Sequence, residues 1–351
     1  MTRGLKWTTI VAGMMAAAVA FIGFEPPQPA FASEGPRLEA RFAGFVSRSP
    51  EPVRAVAFSP DGRMLAVAGV DGLVRIGPAD GSALPGRFAH PGGATALAFS
   101  PDGRVVATAG YDGTVRLLDL AAGTARVIEA SAKPLWALAF APDGATFAAA
   151  GEDTHIRLFA SADGAGRGRL SGHTLNVWDL AFAPDGKALA SAGFDRTMRI
   201  WDLATGTLRH TSTGHEQGIV ALDVRGGDAL VATGGDDATI RLWRADGTPL
   251  RTISAGQFVN ALAFSRDGRW LAAGGRESHG INELWKELTG RRPLGGRGVA
   301  ARLWRVADGA AVAPLDRQSG DVVAVDFSPD GTLAATGSED GTVALWRLSA
   351  H

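Results

Sequence analysis

Two groups of side chains in this sequence have the residue types of a hydrolytic triad. Each group combines a histidine, a hydroxyl residue and an aspartate, with a tryptophan six residues after the aspartate. A serine activated by a histidine that an aspartate orients is the arrangement of nucleophilic acyl transfer. The two groups are His173, Ser191, Asp195 and Trp201, and His215, Thr233, Asp237 and Trp243. Their internal spacing is identical, which is unexpected for a catalytic site and points to a repeated structural unit.

The unit is visible in the phrase Phe-Ser-Pro-Asp-Gly and its close variants. The first residues of the seven copies, used here as anchors, are Phe58, Phe99, Phe140, Phe182, Val224, Phe264 and Phe327. They are separated by 41, 41, 42, 42, 40 and 63 residues, a period typical of repeat architectures. Because both polar groups keep one offset from their anchors, we assign them to buried hydrogen bonding. The sequence has no cysteine, no paired-histidine metal motif and no phosphate loop. We therefore predict no catalytic residue, no cofactor and no metal site.

Each repeat has the pattern of four short strands. In the fourth repeat, residues 177–182 are apolar, and Pro184–Gly186 supply a turn. Residues 188–193 and 197–201 predict two further strands, and residues 207–211 a more polar fourth one. Four antiparallel strands in about 40 residues describe a blade of a β-propeller. The sequence therefore predicts an all-β fold with seven blades.

These residues resemble the WD40 repeat family, in which a His, a Ser or Thr, an Asp and a Trp form a hydrogen-bonded tetrad within a blade. The resemblance covers about residues 37–348. The second repeat departs from it with Leu118 in the tryptophan place, and the last with Gln318 in the histidine place. Blades 1, 3 and 6 lack most of the set, so we expect them to rely on apolar packing. The resemblance also implies that residues 37–46 supply the missing outer strand of the last blade and close the ring.

The first 32 residues have the pattern of a secretory signal peptide. Arg3 and Lys6 precede an apolar run, and prolines lead to the small-residue site Ala30-Phe31-Ala32. The alternative is an uncleaved membrane anchor, because the apolar run is 18 residues long. Cleavage would leave residues 33–351 as the propeller, with no membrane span, in the bacterial periplasm or secreted. The remaining 33 basic and 35 acidic residues argue against nucleic acid as a partner.

An insertion of about 21 residues interrupts the sixth repeat, at residues 276–298. Within it, Ile281, Leu284, Trp285 and Leu288 recur at helical spacing and predict a short helix. Arg291 and Arg292 follow in a basic, glycine-rich exit. Insertions in repeat arrays tend to lie on the functional face. The segment is either a contact element or a cover packed on the propeller.

Aromatic residues occupy equivalent positions in neighbouring repeats. Trp136 and Trp178 each lie four residues before an anchor, and Tyr111 and Phe194 each lie one residue before the turn aspartate. By resemblance, these positions lie near the face that meets partners. They predict an aromatic arc across blades 2 to 4, and clustered exposed aromatics are typical of binding surfaces. The alternative for the two tryptophans is packing between blades.

Our interpretation is a monomeric, non-catalytic scaffold that binds another protein through this face. The predicted contact residues are Tyr111, Trp136, Trp178, Phe194, Trp285, Arg291 and Arg292. A periplasmic redox protein is one candidate partner. The alternative is a propeller that binds or converts a small molecule in its central channel, with the 276–298 insertion as a lid.

Overall fold

A computed structural model of the chain describes residues 36–276 and 301–351. In this part, 28 strands form seven four-stranded antiparallel sheets, which confirms the all-β propeller of seven blades. The signal peptide predicted at residues 1–32 and the helix predicted at residues 281–288 lie outside the described residues. Residues 36–276 and 301–351 contain no helix that is long and apolar enough to cross a membrane.

The strands follow the repeats closely. Blade 1 contains β2 (Val53–Phe58), β3 (Met64–Gly69), β4 (Leu73–Pro78) and β5 (Gly86–Ala89). Blade 2 contains β6 (Ala94–Phe99), β7 (Val105–Gly110), β8 (Thr114–Asp119) and β9 (Thr124–Glu129). Blade 3 contains β10 (Leu135–Phe140), β11 (Thr146–Gly151), β12 (His155–Ala160) and β13 (Gly166–Ser171). Blades 4 and 5 are built from β14 (Val177–Phe182), β15 (Ala188–Gly193), β16 (Met198–Asp202) and β17 (Thr207–Ser212), then β18 (Ile219–Val224), β19 (Val231–Gly235), β20 (Thr239–Trp243) and β21 (Pro249–Ser254). Blade 6 contains β22 (Phe258–Phe264), β23 (Trp270–Arg276), β24 (Ala301–Arg305) and β25 (Ala310–Leu315). Blade 7 contains β26 (Val322–Phe327), β27 (Leu333–Ser338), β28 (Thr342–Ala350) and β1 (Leu38–Arg48).

The repeated phrase forms the turn between the first and second strands of a blade. In blade 1 the Ser59 hydroxyl donates to the Asp61 carboxylate at 2.5 Å and accepts from the Met64 backbone N–H at 2.9 Å. The backbone N–H of Arg63 donates to the same carboxylate at 3.0 Å. Gly62 has φ +72°, in the left-handed region that glycine adopts without strain. The serine, aspartate and glycine of the phrase therefore each help to fix the turn.

The apolar core lies between neighbouring blades. The second strand of blade 3, β11, is buried along Phe147–Gly151, because its sheet is covered on both faces. One core cluster joins Ile156 of blade 3 to Leu189 and Trp201 of blade 4. The fourth strand of the same blade, β13, is exposed at four of its first five positions. Burial is thus greatest in the second strand of the blade and least in the outermost one.

Strand β1 supplies the fourth strand of blade 7, where the sequence placed it. It pairs antiparallel with β28, from Leu38 opposite Ala350 to Arg48 opposite Thr342. Leu38 is 5% exposed and packs with Trp270 of blade 6 and Trp346 of blade 7. The ring is therefore closed by backbone pairing together with an apolar side chain at the interface of two blades.

Replacing Leu38 by Ala is expected to lower the free energy of unfolding by about 2–4 kcal/mol, because it opens a cavity where the two ends of the ring meet. Leu208→Ala is the matched control, since Leu208 lies in the outer strand β17 and is 40% exposed. We expect the control to cost under about 1 kcal/mol. Urea unfolding of both variants measures the difference, and equal losses would contradict a role for Leu38 in closure.

Candidate functional site

The two complete tetrads are assembled in the same way in blades 4 and 5. His173 Nδ1 lies 2.9 Å from the Asp195 carboxylate, and its Nε2 lies 2.7 Å from Ser191 Oγ. Trp201 Nε1 donates to that same oxygen at 2.9 Å. In blade 5 the corresponding distances are 2.9, 2.8 and 2.8 Å, among His215, Asp237, Thr233 and Trp243. Each hydroxyl links a histidine to a tryptophan inside the blade.

This geometry is structural rather than nucleophilic. Ser191 is fully buried, so no substrate can reach its oxygen. Burial opposes ionisation of Asp195, but hydrogen bonds from His173 and Thr197 outweigh it and hold the pKa of the carboxyl well below its ordinary value. The carboxylate therefore stays charged and holds the imidazole in one orientation.

Blades 1 and 3 correct one sequence-based expectation. They were expected to rely on apolar packing, yet a serine occupies the histidine place in both. Ser49 donates to Asp71 at 3.0 Å in blade 1. In blade 3, Ser131 donates to Asp153 at 2.9 Å. An arginine four residues after each aspartate completes the pairing, at 2.6 Å in blade 1 and 2.5 Å in blade 3. The signal was available, since each serine lies nine residues before its anchor.

Blade 6 has the tryptophan of the tetrad without its acceptor. Trp304 is buried, and its Nε1 has no hydrogen-bond partner among the described residues. Ala273 stands where a complete tetrad has its Ser or Thr. In the β23–β24 pair, Leu271 lies opposite Trp304, and Ala273 lies two residues further along β23. A buried N–H without a partner costs about 1–3 kcal/mol. The expectation of apolar packing is therefore right for this blade.

We expect Ala273→Ser to stabilise the protein, by about 0.5–1.5 kcal/mol, because the new hydroxyl can accept from Trp304 Nε1. The matched control is Ala272→Ser on the opposite face of the same strand. Ala272 packs in the apolar interface with blade 7, where a hydroxyl has no comparable partner, and we expect this variant to lose stability. Thermal unfolding compares the two, and a shift of the same sign in both would contradict the assignment.

The predicted aromatic residues form one continuous row. Tyr111 and Trp136 meet edge to face with ring centroids 5.4 Å apart. Trp136 stacks on Trp178 at 5.0 Å with an interplanar angle of 18°. Phe194 continues the row, 6.4 Å from Trp178. The structure thus brings together four of the seven predicted contact residues, while Trp285, Arg291 and Arg292 lie outside its described part.

The aromatic row is accessible at one end and shielded in its middle. Phe194 is 42% exposed, and its ring lies directly over Gly218, where an added Cβ would be 2.4 Å from a ring carbon. Trp136 and Trp178 are half-buried. Their Nε1 atoms are shielded from solvent and have no partner in the described part of the chain.

The aromatic row forms one wall of a depression over the central channel, called the cup below. We define the top face as the side on which the innermost strands begin and the second strands end. The cup opens there, with a volume of about 600 Å³. Arg54, Asp236, Asn260 and Glu339 lie on the opposite wall. Arg54 and Glu339 pair at 2.7 Å. Among the described residues, the cup therefore has its aromatic side chains over blades 2 to 4 and its charged and amide side chains, with Val220 and Val323 between them, mainly over blades 5 to 1.

Three aspartates of the innermost strands were missed by sequence reasoning. Each carboxylate accepts one backbone N–H from the next residue in its own strand and one from the next blade. Asp179 accepts from Leu222 at 2.7 Å, Asp223 from Phe264 at 2.7 Å and Asp326 from Phe58 at 2.7 Å. Alanine occupies most equivalent positions in the other blades. A single aspartate in an apolar strand was the available signal.

Burial raises the pKa values of these carboxyls despite their hydrogen bonds. The pKa rises to about 7 for Asp179, to about 6 for Asp223 and to about 7 for Asp326. The negative charge of Asp223 adds to the shift of the other two. Between the ordinary aspartate pKa and these values, the folded protein holds protons that the unfolded chain has released. The stability contributed by these groups is therefore present at low pH and is lost as the pH rises through 6 to 7.

This linkage predicts how Asp223→Asn responds to pH. Wild-type protein should gain stability relative to the variant as the pH falls from 7.5 to 5.5, on the order of 1 kcal/mol. Comparing the two proteins cancels the opposite effect of His90, whose pKa burial lowers. Urea unfolding at the two pH values measures this gap, the difference in free energy of unfolding between the wild type and the variant. A gap that narrows at pH 5.5 would mean that the carboxylate stays charged in its two hydrogen bonds.

Comparison with known proteins agrees with this architecture. Residues 49–277 match the family described as the IFT122 first beta-propeller, and residues 311–347 match the WD domain, G-beta repeat. Human Protein HIRA is 34% identical over 88 residues, which is 25% of this chain and 8% of that protein. Mouse Protein HIRA gives the same identity over the same length. The chain spans about 8% of the length of these two curated relatives.

Proposed function

This chain belongs to the family of the IFT122 first beta-propeller, a propeller built from WD40 repeats, and we propose that it is a non-catalytic scaffold that binds another protein through its top face. The observation that carries the proposal is the aromatic row from Tyr111 to Phe194. It combines an exposed phenylalanine with two half-buried tryptophans around a concave centre. Rigid aromatic anchors at the centre of a patch commonly supply most of the binding energy of a protein interface.

The surroundings of the aromatic row support an interface of ordinary anatomy. Charged side chains at the rim of the cup, such as Glu152 and Glu339, would remain partly in solvent around an apolar centre. The row stands on turns and strands that the blade interfaces fix in place. A partner would therefore meet a surface that loses little conformational freedom on binding.

Two finer features of the proposal come from the sequence pattern. We propose that residues 1–32 are removed as a signal peptide and that the protein works as a monomer in the periplasm or outside the cell. We also propose that residues 276–298, with Trp285, Arg291 and Arg292, add to the contact surface. A periplasmic redox protein stays one candidate partner.

A second function is favoured by one observation, the size of the cup. Its volume of about 600 Å³ falls within the range of small-molecule sites. In that case the channel would bind or convert a small ligand, and the insertion would act as its lid.

Replacing both Tyr111 and Phe194 by Ala should reduce capture of the partner by about tenfold or more, because it removes the anchors at both ends of the aromatic row. The measurement is quantitative mass spectrometry of proteins retained by the immobilised full chain from an extract of the producing cells. The matched control replaces Leu208 and Leu250 by Ala, two exposed residues of outer strands. Gly218→Ala tests the same surface indirectly, since its Cβ displaces Phe194.

The result is informative only if thermal unfolding of the variants is unchanged. Equal loss of the partner in the outer-strand control would contradict a top-face interface. A chain without residues 277–298 that retains the partner fully would contradict the contribution of the insertion. If no protein is retained by the unaltered chain, the small-ligand function is favoured instead.

A further inference from the structure

The cup has an acidic carboxyl on the channel side of its aromatic wall. Asp179 directly follows Trp178 in strand β14, and both line the cup. Three carboxyls, those of Asp179, Asp236 and Glu339, line the cup with one guanidinium, that of Arg54. Among the described residues of the lining, carboxyl side chains therefore outnumber cationic ones. The inference drawn here rests on the proposed function and concerns the chemistry of the partner.

Within residues 36–276 and 301–351, the Asp179 carboxyl has backbone partners but no positive one. The groups that act on it are the N–H of Leu180 at 2.8 Å, the N–H of Leu222 at 2.7 Å and the negative charge of Asp223. A half-buried carboxylate without a countercharge is unfavourable, and an added cation relieves that cost. The two N–H bonds also fix its orientation. Each oxygen keeps a second lone pair for a further donor.

The aromatic wall favours a side chain with a long apolar stem. Trp136 and Trp178 stack on each other, which covers one face of each ring, and both residues line the cup. Methylene groups pack well along such a wall, whereas a small hydrophilic cation has no partner there. The exposed ring of Phe194 offers a face on which a planar group can stack. Arginine combines these features, because its guanidinium is planar and donates in several directions.

We propose that the cup receives an arginine side chain presented by the partner, with its stem along Trp178 and Phe194 and its guanidinium on the Asp179 carboxylate. The carboxylates that line the cup belong to blades 4, 5 and 7. A guanidinium with five N–H donors can address acceptors on different blades, which a single ammonium does less well.

Arginine binding is coupled to a proton. Burial raises the pKa of Asp179 to about 7, and a bound guanidinium favours the charged carboxylate. In the described part of the chain, the charged groups that face the site are Asp223 from the neighbouring inner strand and Arg54, Asp236 and Glu339 from the rest of the cup. Asp223 and Asp179 carry like charges, so the guanidinium reduces their repulsion. Affinity for arginine should therefore rise about tenfold between pH 6 and pH 8.

The test is a titration of the full chain with the capped pentapeptide Gly-Gly-Arg-Gly-Gly, followed through the indole N–H resonances of the tryptophans. The Trp178 resonance is assigned by its loss in Trp178→Phe. We expect it to shift saturably with the arginine peptide, with a dissociation constant about tenfold lower at pH 8 than at pH 6. The same peptide with citrulline, which has the shape of arginine without its charge, should leave the resonance in place.

Asp179→Asn should abolish binding of the arginine peptide. The matched control is Asp326→Asn, because Asp326 makes the same kind of backbone hydrogen-bond pair, at the interface of blades 7 and 1, and does not line the cup among the described residues. The control should still bind. If Asp179→Asn does not fold, the citrulline comparison and the pH dependence test the inference on the unaltered chain.

Three results would overturn the inference: equal shifts with citrulline, binding retained in Asp179→Asn, or no shift with either peptide. These failures are separate from failure of the proposed function. A protein partner that depends on Tyr111 and Phe194, together with no arginine binding, would leave the scaffold in place and refute only its proposed chemistry. Arginine binding by a chain that retains no protein would do the reverse.

Discussion

Pairing of β1 with β28 is the interaction on which the rest of the structure depends. Each blade is a sheet with two apolar faces, and each face is buried only because another blade covers it. In an open row, two blades would each leave a face in water, along with an unpaired strand edge in blade 7. The antiparallel register from Leu38 to Arg48 removes both problems together. The top face, including the aromatic row, exists as one rigid surface because the ring is closed.

Six of the seven blades have a charged aspartate at the turn after the second strand. The partners that hold it differ. Blades 4 and 5 use His173 and His215, whereas blades 1 and 3 use a serine and an arginine. What the fold requires is that this partly buried carboxylate be neutralised and hydrogen-bonded, and several side chains meet that requirement. The tetrad is thus one of at least two solutions to the same electrostatic problem in this ring.

Much of the fold could be predicted from the sequence because the repeat makes equivalent positions comparable. Trp136 and Trp178 share one offset from their anchors, and Tyr111 and Phe194 share another, so their proximity followed from the period. Asp179 and Asp223 could not be placed in this way. Their partners are N–H groups of neighbouring blades, and which N–H is left without a strand partner depends on how closely two inner strands approach. The serines of blades 1 and 3 were overlooked for a different reason, because the expected residue was histidine and no substitute was sought.

The pairing of β1 with β28 has a topological consequence. Backbone hydrogen bonds join Arg37 and His351 in both directions, at 3.1 and 2.9 Å, so the two ends of the described strands lie side by side. The fold is in effect a circle whose cut happens to fall within blade 7. A short linker could join these two ends, and new termini could be opened in a loop between two other blades. The permuted chain would keep the same contacts around the ring. The position of the new termini would then decide which blade comes first in the chain and which blade closes the ring.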